Sequence, residues 1–463
     1  MPTPIPTLLS GLGHLALVAA GLLVYVLVTR MRQQRRHPSA AIAWVAVIAL
    51  LPYVGIPLFL AIGTRKFARP AAPAAAADRP ARDLGTPPWA TDLLAGLGVP
   101  APGRARAVTF HEDGAQALAA LIALAGAARH RLEICTYVLG ADAVGAMVAD
   151  ALVEAAGRGV RVRLLIDALG SRVTPRPLLE RLRAQGVEAR RFMPLLHNPT
   201  RGSTNLRNHR KLAVADDARL WCGGRNLASE YFFDHRGGPA WRDLSVVVDG
   251  GIALQARRQF DRDWALAGGS GADERPIAAA GDEAGGPVVQ WIPSGPDYAD
   301  DTLYALLLAG AFHARQRIAA VTPYFVPDDA LLDAWCLASR RGVQVSLVLP
   351  LRSNHRLADW ARERALRRLA QAGAEIFMTS QMVHAKAIVI DNDIALCGSV
   401  NIDGRSLFLN FEAMAAFYGP AQVAWLAGWS RQLAQAGAPY RAVPPTWWRD
   451  LGEGVARSIG FQL

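Results

Sequence analysis

At 463 residues the chain is too long for one ordinary hydrophobic core, which excludes a single small domain and leads us to expect several units. A formal net charge of +11 at pH 7 suits an anionic partner surface, either phospholipid headgroups or nucleic acid. Cys135, Cys222, Cys336 and Cys397 stand singly in apolar runs without the close Cys/His spacing of a zinc site, and read as small buried thiols.

The first 64 residues hold two uncharged apolar stretches, Leu8 to Thr29 and Ala40 to Gly63, each long enough for the roughly 20 residues a membrane helix needs. Both read as transmembrane helices. A cleaved signal peptide is the rival reading for the first, but no basic segment precedes Leu8 and a second apolar stretch follows almost at once. Pro52, Gly55 and Pro57 interrupt the second stretch, which is expected to kink or to dip in and return. Arg30, Arg32, Arg35 and Arg36 lie between the stretches while Arg65, Lys66 and Arg69 follow them, so the positive-inside rule gives conflicting orientations. Anchoring of this kind favours lipid as the anionic partner.

Residues 65–104 form a linker, with Pro70 to Pro88 rich in Ala, Pro and Arg and lacking apolar periodicity. A second break, residues 268–286, is crowded with Gly, Ala, Asp and Glu and separates lobes at 105–267 and 287–440. The lobes repeat an order of elements. Strand-like Arg131 to Leu139, a helical stretch ending at Arg158-Gly159 and the strand Val160 to Ile166 are matched by Arg317 to Val326, Arg341-Gly342 and Val343 to Leu349. Gly186 and Gly373 close comparable later helices. Alternating strands and helices predict an α/β fold of two lobes related by an approximate two-fold, with mostly parallel sheets. Residues 441–463 form an amphipathic tail. Trp447, Trp448, Leu451, Val455, Ile459 and Phe461 recur there at helical spacing, as in a helix lying on a membrane or on the protein's own surface.

The most specific signal is a repeat. His209, Lys211, Asp216 and Asn226 recur as His384, Lys386, Asp391 and Asn401, each displaced by the same 175 residues. Each His-x-Lys opens an apolar run, Leu212 to Ala215 or Ala387 to Ile390, which reads as a buried strand. The i, i+2 spacing sets His and Lys on one face at the strand's beginning, so both pairs can meet at a seam between the lobes. The aspartates count with the site by their place in the motif, although lying past the far end of the strands points to fixing a turn. Two His, two Lys and two Asn are the set that metal-free phosphodiester chemistry needs: a nucleophile, an acid for the leaving oxygen and donors for the charged phosphoryl oxygens. No metal or organic cofactor is called for. Which histidine attacks is not ranked by the sequence itself.

The residues resemble the phospholipase D superfamily and, within it, the bacterial cardiolipin synthases. The likeness covers nearly the whole chain and rests on Asn208-His209-Arg210-Lys211, Gly223 to Leu227 with Glu230-Tyr231, Trp241-Arg242-Asp243, Phe260 with Asp263-Trp264, Ser294-Gly295-Pro296, Thr322 to Pro327, and Gly398 to Asp403 running through Arg405 to Glu412. It implies that His209 is the nucleophile and His384 the acid, oriented across the lobes by Glu412 and Asp243 respectively. Gly224 and Ser399 are small residues where a phosphate would approach backbone, and Tyr324 and Arg405 are further candidates to contact substrate. Arg225 and Arg405 read equally well as structural arginines. The resemblance implies a phosphatidyltransferase of the bacterial plasma (inner) membrane, multi-pass, that makes cardiolipin from phosphatidylglycerol. A hydrolytic phospholipase D is the nearest alternative. A nuclease of the same superfamily is disfavoured by the uncharged spans, so nucleic acid is not an expected partner. A catalytically dead scaffold is disfavoured because all eight tetrad positions are present.

Overall fold

The computed structural model describes residues 5–31, 38–63, 84–194, 205–269, 285–298 and 300–460, so residues 65–83 of the first linker and 270–284 of the second lie outside the described residues. At the N-terminus, α1 (Ile5–Met31) contains a 19-residue stretch, Gly11–Thr29, of mean hydropathy 2.2, long and apolar enough to cross a bilayer. The second apolar stretch is not one helix. It breaks into α2 (Pro38–Leu50) and α3 (Pro52–Ile62) at Leu51, whose φ of −135° and ψ of 61° leave the helical region. Pro52 causes this break, since a proline disfavours helical backbone in the residue before it and lacks the N–H a continuing helix would use. At about 1.5 Å per residue neither piece reaches the roughly 30 Å of a bilayer core, so of the two expected transmembrane helices only α1, among the described residues, is long and apolar enough to cross as one helix. The pieces fold against each other and against α1. A Cβ on Gly55 would lie 2.8 Å from the Val47 carbonyl, and one on Gly21 would lie 2.6 Å from Ile56 and 2.9 Å from Ile48.

After α4 (Pro88–Gly96), the body begins with β1 (Gly103–His111), α5 (Gly114–Ala127), β2 (Arg131–Thr136), α6 (Ala143–Gly157), β3 (Arg161–Asp167), α7 (Arg176–Ala184) and β4 (Glu188–Phe192). The hairpin of β5 (Leu212–Ala215) and β6 (Arg219–Gly223), then β7 (Ser245–Gly250) and α8 (Ile252–Leu266), complete this half. The second half runs β8 (Val288–Ser294), α9 (Thr302–His313), β9 (Arg317–Val321), β10 (Phe325–Val326), α10 (Asp329–Arg340), β11 (Gln344–Pro350), α11 (Arg356–Gln371) and β12 (Glu375–Thr379). There follow β13 (Ala387–Ile390), β14 (Ile394–Gly398), β15 (Ile402–Asp403), α12 (Gly404–Phe408), β16 (Glu412–Phe417), α13 (Pro420–Ala436), β17 (Ala438–Pro439) and α14 (Trp447–Gly460).

Helix ends follow local chemistry. Asp113, Asp142 and Asp328 cap α5, α6 and α10 by accepting the amides of Gln116, Gly145 and Leu331. Gly159, Gly186, Gly342 and Gly373 sit just past α6, α7, α10 and α11 with φ between 85° and 100°, where a side chain would be strained.

Fifteen strands join in one sheet of order β17-β12-β11-β9-β13-β14-β16-β8-β1-β7-β6-β5-β2-β3-β4, which is nearly symmetric about the β8–β1 pair, while β10 and β15 pair separately. The halves are therefore continuous, joined by Gly103↔Val289 and Arg104↔Val288. Within this sheet, parallel pairing is confined to β2-β3-β4 and β9-β11-β12, where helices make the crossovers, and the remaining pairs are antiparallel. This overturns the expectation of mostly parallel sheets; the fold is mixed α/β. Short hairpins reverse the chain where buried apolar runs such as Ala387 to Ile390 look like parallel strands.

Helices α5 to α7 cover one face of the first half, and α9 to α11 the matching face of the second. Residues of α8 and α13, among them Phe260, Trp264, Leu426 and Trp429, pack with both halves in a shared central core. The C-terminal helix α14 is docked on α11: Glu453 is buried and takes Arg367 and Arg449, while Ala456 packs with Ala361 and Val326. Tail residues 461–463 lie outside the described residues.

Candidate active site

His209 and Lys211 lie in extended backbone just ahead of β5, and His384 and Lys386 occupy the same place ahead of β13. Each segment is held by the other half of the protein. The His209 amide donates to Phe411 O at 2.9 Å and the His384 amide to Arg242 O at 2.7 Å. Phe411 and Arg242 each precede a carboxylate, so the carboxylates are delivered across the seam. Glu412 lies 3.0 Å from Nδ1 of His209, and Asp243 lies 2.8 Å from Nδ1 of His384.

Alternation along the His209 segment explains its other residues. Asn208 and Arg210 point away from His209 and Lys211 to Asp263 on α8, with Asn208 donating at 2.9 Å and Arg210 at 2.5 Å. Arg210 also donates to Glu412 O at 2.9 Å and Ser294 O at 3.0 Å, so one buried guanidinium fixes both the histidine segment and its partner carboxylate.

Both imidazoles are buried, His209 at 9% exposure and His384 at 4%, and desolvation decides their state. Burial lowers His209 to about 4, against an opposing pull from Glu412 and with help from the Lys211 charge. Burial lowers His384 to about 3, with help from the Lys386 charge and against Asp243. Burial likewise brings Lys211 down to about 7 and Lys386 to about 8. Burial raises Asp243 and Glu412, but their histidine partners and nearby lysines outweigh it, leaving both below the usual carboxylate range. At neutral pH the resting site therefore holds neutral imidazoles against ionised carboxylates. The charges of Lys386 and Lys211 each act on the other half's histidine, so the two repeats share one site.

The repeats are not identical. Lys211 Nζ donates to His209 O at 2.8 Å, whereas Lys386 donates to His384 O and also lies 3.1 Å from Nε2 and 2.8 Å from Nδ1 of that ring. Asn226 accepts from the Val138 amide at 3.2 Å and donates to the Tyr231 hydroxyl at 2.8 Å. Asn401 donates to Ser406 at 3.2 Å, and its buried Oδ1 has no hydrogen-bond partner among the described residues.

Some predicted residues stand elsewhere. Asp216 and Asp391 are at the far ends of β5 and β13 with φ of 53° and 51°. Asp216 accepts the amides of Arg129, His130 and Arg131, and Asp391 those of Arg315, Gln316 and Arg317, all at 2.8 to 2.9 Å. They tie hairpin turns to the starts of β2 and β9 and do not reach the imidazoles, which corrects their inclusion with the catalytic set.

Gly224 and Ser399 meet the carboxylates: a Cβ on Gly224 would lie 2.2 Å from Asp243 Oδ1, while Ser399 donates its hydroxyl to Glu412. Their small size makes room for carboxylates, where phosphate approach was expected. Arg405 is committed to Asn205, at 3.0 Å to its carbonyl and 3.1 Å to its side chain. Arg225 is buried among the carbonyls of His111, Glu112 and Tyr231. Tyr324 donates to Asn354 at 2.5 Å.

Sequence reasoning assigned no role to Tyr137, Tyr231 or Trp241. Tyr137 meets His209 edge-on at 4.9 Å and lies 5.5 Å from Lys211 Nζ; Tyr231 and Trp241 lie 5.0 and 5.6 Å from His384. Tyr231 and Trp241 carried a signal, both lying in quoted motifs, five residues after Asn226 and two before Asp243. Among the described residues no cluster of His, Cys, Asp and Glu could hold a metal ion.

The geometry has counterparts among known proteins. A family model described as "Cardiolipin synthase, PLD-like domain" matches residues 121–264 and 309–433, and one described as "Phospholipase_D-nuclease N-terminal" matches residues 19–63. Cardiolipin synthase A of Shigella boydii serotype 4 (strain Sb227) is 32% identical over 445 residues, covering 89% of this chain and 90% of that protein. Cardiolipin synthase A of Escherichia coli (strain K12 / DH10B) gives the same identity and coverage. The crystal structure of phosphatidylserine synthase from Haemophilus influenzae Rd KW20 shares the fold, with a TM-score of 0.61 at 14% identity over 80% of this chain and 97% of that one.

Proposed function

The chain belongs to the cardiolipin synthases of the phospholipase D superfamily, and on that basis we propose that it joins two phosphatidylglycerol molecules into cardiolipin, with release of glycerol. The product reading is carried by the 32% identity to cardiolipin synthase A over nearly the full length of both chains. What supports the chemistry is the reciprocal holding of each histidine by the other half's carboxylate, since neither half alone has both an attacking and a proton-donating imidazole oriented by an acid.

In the first step His209 Nε2 attacks the phosphorus of phosphatidylglycerol, forming an N–P bond as the P–O bond to glycerol breaks. His384 Nε2–H gives its proton to the departing alkoxide. In the second step the free hydroxyl of another phosphatidylglycerol passes its proton to the now neutral His384 and attacks phosphorus, breaking the N–P bond and restoring His209. Glu412 and Asp243 accept from the Nδ1–H of each ring and favour the positive charge that forms on it. Lys211 and Lys386, with Asn226 and Asn401, are assigned to the phosphoryl oxygens where negative charge gathers.

The family resemblance gives His384 the acid role. The Lys386 charge, 3.1 Å from His384 Nε2, opposes protonation of that ring in the resting site, so His384 takes up its proton only once the lipid phosphate offsets the lysine charges. A neutral His209 and a His384 recharged as the lipid phosphate arrives satisfy the two roles.

The anchor fits a plasma-membrane enzyme in which α1 spans the bilayer and the α2–α3 pair enters and returns from one side; the helix lengths support this reading. At a bilayer surface the lipid alcohol that accepts the phosphatidyl group is concentrated and water is limited, which favours transfer over hydrolysis.

The test uses the detergent-purified full chain with phosphatidylglycerol labelled in its glycerol headgroup and, separately, in its acyl chains. Cardiolipin and free glycerol in equal amounts are expected. Phosphatidic acid as the main lipid product would make the protein a hydrolase instead.

A further inference from the structure

The loop between β11 and α11, the first turns of α11 and the start of α14 enclose a groove of about 820 Å³. Its lining combines cations and apolar side chains. Arg352 and Arg356 line it, are exposed, and form no ion pair or hydrogen bond among the described residues. Leu351 and Trp360 line it beside them at 56% exposure each, and Leu357 of α11 with Trp447 and Trp448 of α14, the helix packed on α11, stand 49 to 67% exposed. Isolated exposed apolar residues are ordinary, but five large ones on two packed helices and their loop, with two unpaired arginines, are not.

The groove is firmly built. Arg362 at its base donates to Pro350 O and Leu351 O, both at 2.9 Å, which pins the loop. Arg364 pairs with Asp450 at 2.9 Å, and Arg367 with Glu453 at 2.5 Å, which fixes α14 to α11.

Two connections say what faces this surface. On one side α14 also contacts α2, part of the apolar N-terminal segment, so the groove continues the side of the body that carries the anchor. On the other side Asn354 of the loop accepts the Tyr324 hydroxyl at 2.5 Å and His355 meets the Tyr324 ring, while β10 directly after Tyr324 pairs with β15 directly after Asn401. Tryptophan with arginine is the pairing used at the headgroup level of a bilayer, where the ring sits among acyl ends and the guanidinium meets phosphate.

We propose that this groove is a second lipid site, which binds the phosphate of an anionic bilayer phospholipid through Arg352 and Arg356 while Leu351, Leu357, Trp360, Trp447 and Trp448 enter the headgroup layer. It holds the body on the membrane with the Tyr324 side of the groove against the lipid. The inference is separate from the histidine chemistry, and its test needs no turnover.

A nitroxide on Leu357→Cys is placed in the full-length protein, whose native cysteines are buried and escape labelling. The His209→Ala background keeps lipid composition constant. In phosphatidylcholine vesicles of rising phosphatidylglycerol content, the label should become protected from a water-soluble paramagnetic relaxant and accessible to oxygen. A label at exposed Met147→Cys on α6 should not change. Arg352→Gln and Arg356→Gln should each raise the phosphatidylglycerol fraction for half-maximal protection roughly fivefold, as expected for about one interfacial cation lost. Protection that is equal without anionic lipid, or unchanged in the double glutamine variant, would overturn the phosphate site. A residue 357 label as water-accessible as that at 147 at every composition would overturn the docking surface altogether.

Discussion

Glu412 and His209 are 203 residues apart in sequence, yet a carboxylate oxygen of one lies 3.0 Å from Nδ1 of the other. Asp243 and His384 repeat this relationship in the opposite direction, across 141 residues. A nucleophile and its orienting group therefore come together only when both halves are folded and joined.

That dependence predicts the behaviour of the carboxylates. Glu412→Gln and Asp243→Asn keep the volume but can present an amide where the ring needs an acceptor, destabilising the imidazolium and the working tautomer. Each should lower kcat by about 10²-fold or more with melting temperature little changed. Steady-state kinetics with thermal unfolding of the same samples checks this, and a loss confined to KM would assign both residues to binding.

The site's titration sets a pH profile. His209 must be neutral to attack, and burial has lowered it to about 4, so no loss of activity from its protonation should appear near the ordinary histidine value of about 6.5. Lys211 and Lys386 must be charged, and burial has lowered them to about 7 and 8, so their charged fraction falls as pH rises through that range. Activity should decline on the alkaline side well before the ordinary lysine value of about 10.4. In Lys386→Met the maximal rate should drop by about 10²-fold, the scale for losing one oxyanion donor, and the alkaline limb should change position. An alkaline limb that stays in place in both Lys→Met variants would remove the lysines from the titration.

Asp216 and Asp391 should behave as structural residues. Asp216→Ala leaves three backbone amides without their acceptor and puts alanine at a φ of 53°, so a loss of about 1–3 kcal/mol or more is expected. Turnover per folded molecule, measured well below the unfolding transition, should match the parent. A large fall in kcat without loss of stability would return the aspartate to the chemistry.

The tetrads were visible in the sequence because a single displacement carries His209, Lys211, Asp216 and Asn226 onto their second copies, a regularity that packing alone would not produce. The helix-closing glycines were visible for a similar reason, since positive φ leaves few alternatives to Gly159 and its counterparts. Strand sense was not legible. Leu212 to Ala215 is apolar throughout because both faces are covered, the usual mark of a parallel strand, while its antiparallel direction is set by the turn at Asp216-Asp217. Gly224 and Ser399 were misread because a small residue looks the same whether it admits a phosphate or the carboxylate of Asp243 or Glu412. Tyr137 gave no signal, since an aromatic beside an apolar run ordinarily means core.

The central claim is that both halves build one site in which His209 attacks and His384 serves the leaving group. It is tested most directly by denaturing quench of the His384→Ala protein after mixing with a phosphatidyl donor whose activated leaving group needs no proton, followed by peptide mapping. The account predicts a phosphatidyl group on His209, absent from the His209→Ala protein under the same conditions. Labelling of His384 in the His209→Ala protein, with none on His209 in the His384→Ala protein, would contradict it.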